Sequence, residues 1–552
     1  MGYSKEELLN ERVFYHFHQI CQIPHPSGGE KALSDFILKW ALDLGLEARQ
    51  DPVNNVFIRK PASPGYEAAP AVMLQAHLDM VCEKNEGSSH DFSKDPITWV
   101  IDGDNLSTGG QTTLGADDGI GVAFAMAVLE DKTLCHPELE ILFTVAEESD
   151  FTGAVGFDVS WMKADYLINL DHACDREILS GSCGGMDAEI RLPIEHRKLP
   201  QDWKTYTVMI TGLKGGHSGE DIHRGHGNAN SLLGRFMAEA GKRFTYGISA
   251  VKGGTYRLAI PREARADLSL AASDYGKLVQ LTEELQAVFR EELQQTSSLL
   301  KITVEEIPLA GTQVSPDKIV TLLLLAPDGI CQMNEVLTGL VDTSDNLGEL
   351  HMDGREFRMV FEIRSAQDSL KYYIYEKIQR LSSLVGAKCS TEVEYASWHF
   401  RANSPLRETA VEVYKKKYGS EPTVLTVHAG LEVGCFFEVK PSLDAISLGP
   451  DCWNFHSPSE MVSIPSVRKA YGFLCSILGQ FTRNYTQTVK RAADNKRRYA
   501  PGWVHSTCLL RGFPKGAAPH LAHDFAEQSV VCYTLCRRCP ENTVAAGEGK
   551  GI

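Results

Sequence analysis

His77 and Asp79 form an H-x-D pair at the end of the apolar run AVMLQAHLDM. Side chains of a strand alternate between its two faces, so both residues are predicted to point the same way. A metal-bound imidazole usually donates its second N–H to a carboxylate, which fits this pair, although the Asp79 carboxylate could contact a different group. A surface His–Asp pair has the same spacing, so the motif alone does not establish a metal site.

Two pairs of adjacent acidic residues lie beside the extended runs, Asp117 and Asp118 in LGADDG and Glu147 and Glu148 in AEES. Neighbouring carboxylates repel each other unless a cation or N–H donors neutralise them. At a strand end two neighbours face opposite ways, so one glutamate could bind a cation while the other handles a proton. The alternatives are an Asp N-cap on the next helix and a solvated acidic strand end. Asp171 is likewise an acidic residue at the end of an apolar run, YLINLD.

The elements that carry these residues are predicted from hydrophobic spacing. Helices are predicted over residues 5–22 and 30–44, and GVAFAMAVLED predicts a buried helix. Four extended runs end in polar residues: AVMLQAHLDM, NLSTGGQTTLGADDG, ELEILFTVAEE and ADYLINLDH. In open α/β sheets functional groups lie beyond the carboxyl ends of the strands, so these four ends are predicted to converge.

Converging carboxylates and imidazoles predict a metal site. This mixture of ligands suits Zn, Mn or Co more than Ca. A carboxylate shared by two ions about 3.5 to 4 Å apart is a common hydrolase design. The conjunction of four strand ends indicates such a site more strongly than any single motif.

The pattern changes along the chain and predicts an inserted domain. Residues 1–190 are predicted to form the first part of an α/β catalytic domain, and residues 399–482 its second part. Residues 191–398 predict an α+β lid domain, with strands in KTYTVMITGL, TYRLAI and FRMVFEIR and a helix in YGKLVQLTEELQAVFREELQ. The insertion predicts that His456 folds back beside His77.

Composition excludes several classes of protein. The chain has 552 residues, 55 basic and 72 acidic, for a net charge of −17, which argues against nucleic-acid binding. No run approaches the roughly 18 apolar residues of a membrane span. The 14 cysteines are mostly scattered singly, as in reduced thiols of a large intracellular protein. These features predict a soluble, cytoplasmic protein.

Residues 483–552 differ from the rest of the chain. Eleven Lys and Arg against five Asp and Glu give this segment a net charge of +6, and its hydrophobic periodicity fades. It is predicted to be a poorly ordered basic tail. We interpret its C-x3-C-x2-C pattern, Cys532, Cys536 and Cys539, as incidental, because no barrel-length sequence follows it.

A longer series of motifs resembles a known family. The motifs are IPHPSGGE, LQAHLDMV, HDFSKDPI, TTLGADDGIG, EES, LKGGHSGEDIHRGHGNAN, GGTYRLAIPREA, HAGLEVG and GPDCWNFHSP. In order and spacing they resemble the aminoacyl-histidine dipeptidases, the carnosine-hydrolysing branch of the dizinc M20 metallopeptidases. The resemblance covers residues 5 to 482. It implies an M20-type α/β catalytic domain with an inserted α+β lid.

The resemblance also implies a set of metal ligands. His77 and Asp171 would bind one ion, Glu148 and His456 the other, and Asp117 would bridge them. The ions would be two divalent cations, with Zn expected first and Co or Mn as alternatives. A cis peptide between Asp117 and Asp118 is implied as well.

Further residues match catalytic and substrate-binding positions of the family. Glu147 matches the general base, Asp79 the acid that supports the His ligand, and His217 the imidazole that stabilises the oxyanion. Four residues lie in segments that resemble substrate contacts: Asn346, Arg364, His428 and Glu432. Leu258 departs from the pattern, because the family has Asn there, which puts one substrate or lid contact in doubt.

We therefore predict metal-dependent hydrolysis of small dipeptides, preferentially Xaa-His, by a water that two ions activate. The predicted partner is a small dipeptide substrate, and no nucleic acid or membrane is expected to bind. A homodimer is possible, but the sequence does not decide the oligomeric state. The alternatives are an N-acyl-amino-acid deacylase of the same fold and a non-catalytic metal-binding protein.

Overall fold

The computed structural model describes residues 3–335, 339–482 and 485. The predicted tail, including its three cysteines, lies outside these residues except for residue 485. Twelve α-helices occur in the described part of the chain: α1 Lys5–Leu9, α2 Arg12–Cys21, α3 Lys31–Asp43, α4 Ala116–Glu130, α5 Thr152–Gly156, α6 Ala229–Gly241, α7 Tyr275–Glu292, α8 Pro316–Leu325, α9 Asp368–Val385, α10 Pro405–Tyr418, α11 Val433–Val439 and α12 Ile464–Leu478. Within this part, none of the helices is both long and apolar enough to cross a membrane.

The first domain is built on an eight-stranded sheet. Its strands are β1 Glu47–Gln50, β2 Val56–Lys60, β3 Val72–His77, β6 Leu139–Thr144, β7 Tyr166–Asn169, β8 Glu177–Ser182, β23 Thr423–Val427 and β24 Asp444–Ser447. They lie in the order β1-β2-β6-β3-β7-β24-β8-β23. The four central strands, β6, β3, β7 and β24, run parallel, so their carboxyl ends share one edge. These strands are fully buried, as expected when helices cover both faces of a sheet.

The second domain is inserted between β8 and β23. Its sheet contains β9 Gly184–Pro193, β11 Trp203–Thr211, β13 Tyr246–Gly253, β15 Ala264–Ala271, β16 Lys301–Ile307, β18 Gly329–Met333, β19 Val341–Met352, β20 Glu356–Ser365, β21 Lys388–Ser390 and β22 Glu394–Tyr395. All pairs in this sheet are antiparallel, and α6, α7, α8 and α9 contribute buried side chains to the domain's own core. The sequence predicted that this domain begins at residue 191 and ends at residue 398. In the structure the strands of its sheet begin at Gly184 and end at Tyr395.

Short strands complete the fold. A four-stranded sheet contains β4 Val100–Asp102, β5 Asn105–Ser107, β25 Cys452–Trp453 and β26 Met461–Ser463. Two pairs lie in the second domain, β10 Arg197–Lys198 with β17 Thr312–Gln313 and β12 Gly216–His217 with β14 Ala259–Ile260.

Three local predictions need correction. The helix predicted over residues 5–22 is two helices, because α1 ends at Leu9 and the extended backbone of Glu11, the N-cap of α2, interrupts the helical conformation. The strand predicted in TYRLAI is reduced to Ala259–Ile260, opposite the turn that carries His217. LGADDG does not end a strand of the main sheet; its aspartates open α4, because the chain turns at Gly115 directly into the helix.

Candidate metal centre

The ends of three parallel strands bring the first group of predicted residues together. His77 is the last residue of β3 and pairs with Thr144, the last residue of β6. Glu147 and Glu148 follow β6 in a short turn, and Asp171 follows β7. The shared edge of the sheet therefore places side chains from three chain segments in one place, as the sequence predicted.

The start of α4 supplies the next ligand candidates. Gly115, at φ 70°, is in the left-handed conformation that glycine adopts without strain, and it forms the N-cap of the helix. Asp117 and Asp118 follow, and the peptide bond between them is cis, as the resemblance implied. Asp118 is buried and accepts a hydrogen bond from the backbone N–H of Gly121, whereas Asp117 faces the sheet edge.

Asp117 lies between two histidines. Its Oδ1 is 3.1 Å from Nε2 of His77, and its Oδ2 is 3.4 Å from Nε2 of His456. Asp171 Oδ1 lies 3.9 Å from His77 Nε2, and Glu148 Oε1 lies 2.7 Å from His456 Nε2. Among the residues that the structure describes, ligand atoms within 4.8 Å of one another form three groups: His77 with Asp117 and Asp171, Asp117 with Glu148 and His456, and His77 with Glu147 and Glu148. Asp117 belongs to two of these groups.

The charges of this cluster fit divalent cations. Burial raises the pKa of Asp171, and the nearby Asp117 carboxylate raises it further. Burial also raises the pKa of Glu147, as do the charges of Glu148 and Glu432. For Asp117 burial acts in the same direction, but the imidazoles on either side lower the pKa overall. Several buried carboxylates face only two imidazoles, so bound cations would remove a large repulsion.

The tautomer of His77 suits a metal ligand. Its Nδ1 lies 3.0 Å from the backbone carbonyl oxygen of Asp79, and a carbonyl can only accept a hydrogen bond. The hydrogen therefore resides on Nδ1, so that Nε2, on the side of Asp117, is the nitrogen that would bind a cation.

The Asp79 carboxylate also forms hydrogen bonds that could not be predicted from the sequence. Its carboxylate accepts hydrogen bonds from the backbone N–H of Glu147 and of Glu148, both at 3.0 Å, and from the Ser27 hydroxyl at 2.8 Å. The carboxylate itself is 3.5 Å from His77 Nδ1, farther than the backbone carbonyl. Asp79 thus fixes the turn that carries the predicted base.

His217 lies in the inserted domain, in the two-residue strand β12. Its Nδ1 accepts hydrogen bonds from the backbone N–H of Gly219 and Glu220, at 3.3 and 3.0 Å. Burial, followed by the charge of Arg364, lowers the pKa of His217 to about 3. His217 is therefore a neutral imidazole that carries its hydrogen on Nε2, the form that can donate to an oxyanion.

The predicted substrate contacts are all buried. Arg364 donates to the Tyr395 hydroxyl at 2.9 Å, and its Nη2 lies 3.5 Å from Nε2 of His217. His428 contacts the Ser344 hydroxyl at 2.7 Å. These two residues thus belong to the His217 side of the site.

Asn346 and Glu432 occupy different surroundings. The Asn346 amide donates to the backbone carbonyls of Arg257 and Ala259, which holds the segment opposite His217. Glu432 accepts hydrogen bonds from Gln75 and Thr144 beneath the sheet edge, both at 2.7 Å. Burial raises the pKa of Glu432 to about 7.

Leu258 is half-buried, and its backbone carbonyl accepts a hydrogen bond from the N–H of Ser218 at 2.8 Å. The departure at this position therefore lies directly beside the His217 turn.

Sequence reasoning missed Glu460. This residue is 2 % exposed and its carboxylate contacts the segment that starts α4, close to Asp117. Its only signal in the sequence is an acidic residue four positions after His456, in an otherwise uncharged stretch.

Comparison with known proteins identifies relatives of this chain. The chain is 40% identical over 465 residues to the cytosol non-specific dipeptidase of Escherichia coli, covering 84% of this chain and 96% of the relative. The crystal structure of the aminoacylhistidine dipeptidase from Vibrio alginolyticus matches with a TM-score of 0.75 at 36% identity, covering 86% of this chain and 98% of that one. The family model described as the peptidase dimerisation domain matches residues 208–297.

The fold and the arrangement of side chains define a two-domain metallohydrolase. The chain belongs to the M20 family of metallopeptidases, and within that family it is a dipeptidase. The predicted catalytic domain with an inserted lid is confirmed.

Proposed function

We propose that this dipeptidase preferentially hydrolyses Xaa-His dipeptides at a centre that holds two divalent ions. The observation that carries the proposal is the position of Asp117, which shares one carboxylate between two groups of ligand atoms. His77 and Asp171 complete one group, and Glu148 and His456 complete the other. The preference for Xaa-His is supported by the similarity to the aminoacylhistidine dipeptidase of Vibrio alginolyticus.

The ligand set fits Zn first, with Co and Mn as alternatives, because it combines imidazoles with carboxylates. Bound divalent ions supply Lewis acidity and lower the pKa of a coordinated water into the neutral range.

Glu147 is the proposed general base and acid. It belongs to the ligand-atom group of His77 and Glu148, and Asp79 holds its backbone N–H. It would take the proton of the attacking water and later deliver it to the leaving amine. His217, held as the Nε2–H tautomer, would donate to the oxygen that becomes negative.

Arg364 is the proposed contact for the free carboxylate of the dipeptide. Among the described residues no carboxylate lies closer to its guanidinium than Glu362, at 3.8 Å. The Arg364 guanidinium therefore forms no close ion pair with these carboxylates and could bind the carboxylate of a substrate.

The match to a peptidase dimerisation domain supports a homodimer as part of this proposal. The relative from Escherichia coli that is named a cytosol dipeptidase supports the predicted cytoplasmic location.

The test compares three substrates with the purified protein before and after chelation: an Xaa-His dipeptide, a dipeptide without His, and an N-acyl amino acid. We expect the Xaa-His dipeptide to give the highest kcat/KM, chelation to abolish histidine release, and Zn to restore it. Faster cleavage of the N-acyl amino acid would support the deacylase alternative. Full activity after complete metal removal would contradict the two-ion centre.

A further inference from the structure

The carboxylate of Glu460 contacts four consecutive backbone N–H groups. Its Oε2 accepts hydrogen bonds from Leu114 at 2.7 Å and Gly115 at 3.1 Å. Its Oε1 accepts from Ala116 at 2.8 Å and, at 3.4 Å, from Asp117. A buried, charge-assisted contact of this kind is stronger than one between neutral groups.

This contact replaces an ordinary helix cap. The first N–H groups of a helix have no partner within the helix, and a side chain at the N-cap usually accepts from one of them. The N-cap of α4 is Gly115, which has no side chain. The cap comes instead from a residue 343 positions beyond Asp117, and its negative charge also suits the positive end of the helix dipole.

Glu460 also fixes the segment that carries His456. Its own backbone N–H donates to the carbonyl oxygen of Ser457 at 3.0 Å, which closes the turn directly after His456. One residue thus connects the backbone of Asp117 with the turn of His456, and these two side chains lie 3.4 Å apart.

We propose that Glu460 is a positioning residue for the metal centre: by capping α4 it fixes Asp117, the ligand that both ions share, relative to His456. This inference rests on the proposed two-ion function. It predicts that loss of the cap weakens the binding of both ions, because Asp117 belongs to both ligand groups.

Glu140 offers a matched control in the same domain. It is fully buried, and its carboxylate accepts hydrogen bonds from the backbone N–H of Lys163 and of Ala164, at 2.9 to 3.1 Å. It lies near the amino end of β6, whereas the metal centre lies beyond the carboxyl end. Glu140→Gln therefore weakens a buried contact between a carboxylate and backbone N–H groups, together with the ion pair of Glu140 with Arg59 at 3.3 Å, at the end of the sheet opposite to Glu460.

The experiment strips the full-length wild-type protein and both variants of metal and titrates each with Zn²⁺ by calorimetry, with thermal unfolding of the metal-free proteins in parallel. We expect Glu460→Gln to bind Zn²⁺ about 10- to 100-fold more weakly, the range found when residues that orient metal ligands are removed. Both variants should unfold at lower temperature, but Glu140→Gln should keep the wild-type affinity.

Two results would overturn the inference: wild-type affinity in Glu460→Gln, or an equal loss in both variants. If Glu460→Gln does not fold, Glu460→Asp is measured instead, because it keeps the charge but withdraws the carboxylate by one methylene; reduced affinity supports the inference and unchanged affinity contradicts it. The titration of the wild-type protein separates this inference from the proposed function, because a protein that binds fewer than two ions contradicts the proposed function itself.

Discussion

Nε2 of His456 lies 3.4 Å from Oδ2 of Asp117, although the whole inserted domain separates the two residues in the sequence. The other oxygen of the same carboxylate faces His77 at 3.1 Å. Asp117 therefore joins ligand candidates from both parts of the first domain, whereas Asp171 belongs to one ligand group only.

The first prediction concerns the number of bound ions. Asp117→Asn should lose both, because each of the two groups that contain Asp117 would keep only two charged or imidazole ligands. Asp171→Asn should lose one ion, because only the group with His77 is affected. Elemental analysis after dialysis measures the stoichiometry. Two ions retained by Asp117→Asn would contradict the assignment of a shared ligand.

The second prediction separates Glu147 from its neighbour. Glu147→Gln should lower kcat about 10²- to 10⁴-fold, the usual contribution of a general acid or base, while both ions stay bound. Glu148→Gln should reduce the metal content instead, because Glu148 contacts His456. Steady-state kinetics and metal analysis on both variants provide the test. A Glu147→Gln enzyme with wild-type kcat would exclude this residue as the base.

The third prediction concerns the imidazole of the inserted domain. His217→Ala should lower kcat about 10²- to 10³-fold, as observed when one oxyanion donor is removed, and should leave metal binding unchanged. His223→Ala is the control, because His223 is exposed in the same loop. Equal kcat values for the two variants would remove His217 from the reaction.

The fourth prediction is a pH dependence of stability that originates in the second domain. Asp345 in β19 is fully buried, and neither carboxylate oxygen has a hydrogen-bond partner among the residues that the structure describes. Burial raises its pKa well above the ordinary value of 3.8. Above that value the unfolded chain releases the proton while the folded protein keeps it, so stability falls as pH rises.

Asp345→Asn removes the ionisable carboxyl and with it this loss of stability at high pH. The free energy of unfolding of the variant relative to wild type should therefore be higher at pH 8 than at pH 5, with a slope of up to about 1.4 kcal/mol per pH unit. Asp202→Asn, at an exposed position of the same domain, should show no such trend. A difference between Asp345→Asn and wild type that does not change with pH would refute this account.

Much of the catalytic half of the fold follows from local sequence. Apolar runs that end at His77, at Thr144 before the glutamates, and at Asn169 before Asp171 became parallel strands with one shared edge. GVAFAMAVLED is hydrophobic on all sides and became the buried part of α4.

Other features have no local signal. LGADDG has the composition of a polar strand end, but it opens α4, because Glu460 satisfies its N–H groups from a distant part of the chain. Arg364 was predicted from the resemblance of its segment to the family, whereas its burial beside Tyr395 and His217 depends on three chain segments.

The sequence by itself determined the alternation of elements, the types of ligand and the family, because these depend on side-chain chemistry and short-range spacing. The tertiary structure alone decided which carboxylate lies between His77 and His456, which N–H groups donate hydrogen bonds to Asp79, and which residue caps α4. Such relationships depend on distances between residues far apart in the chain, and those distances exist only once the strands have aligned and the inserted domain has let the chain return.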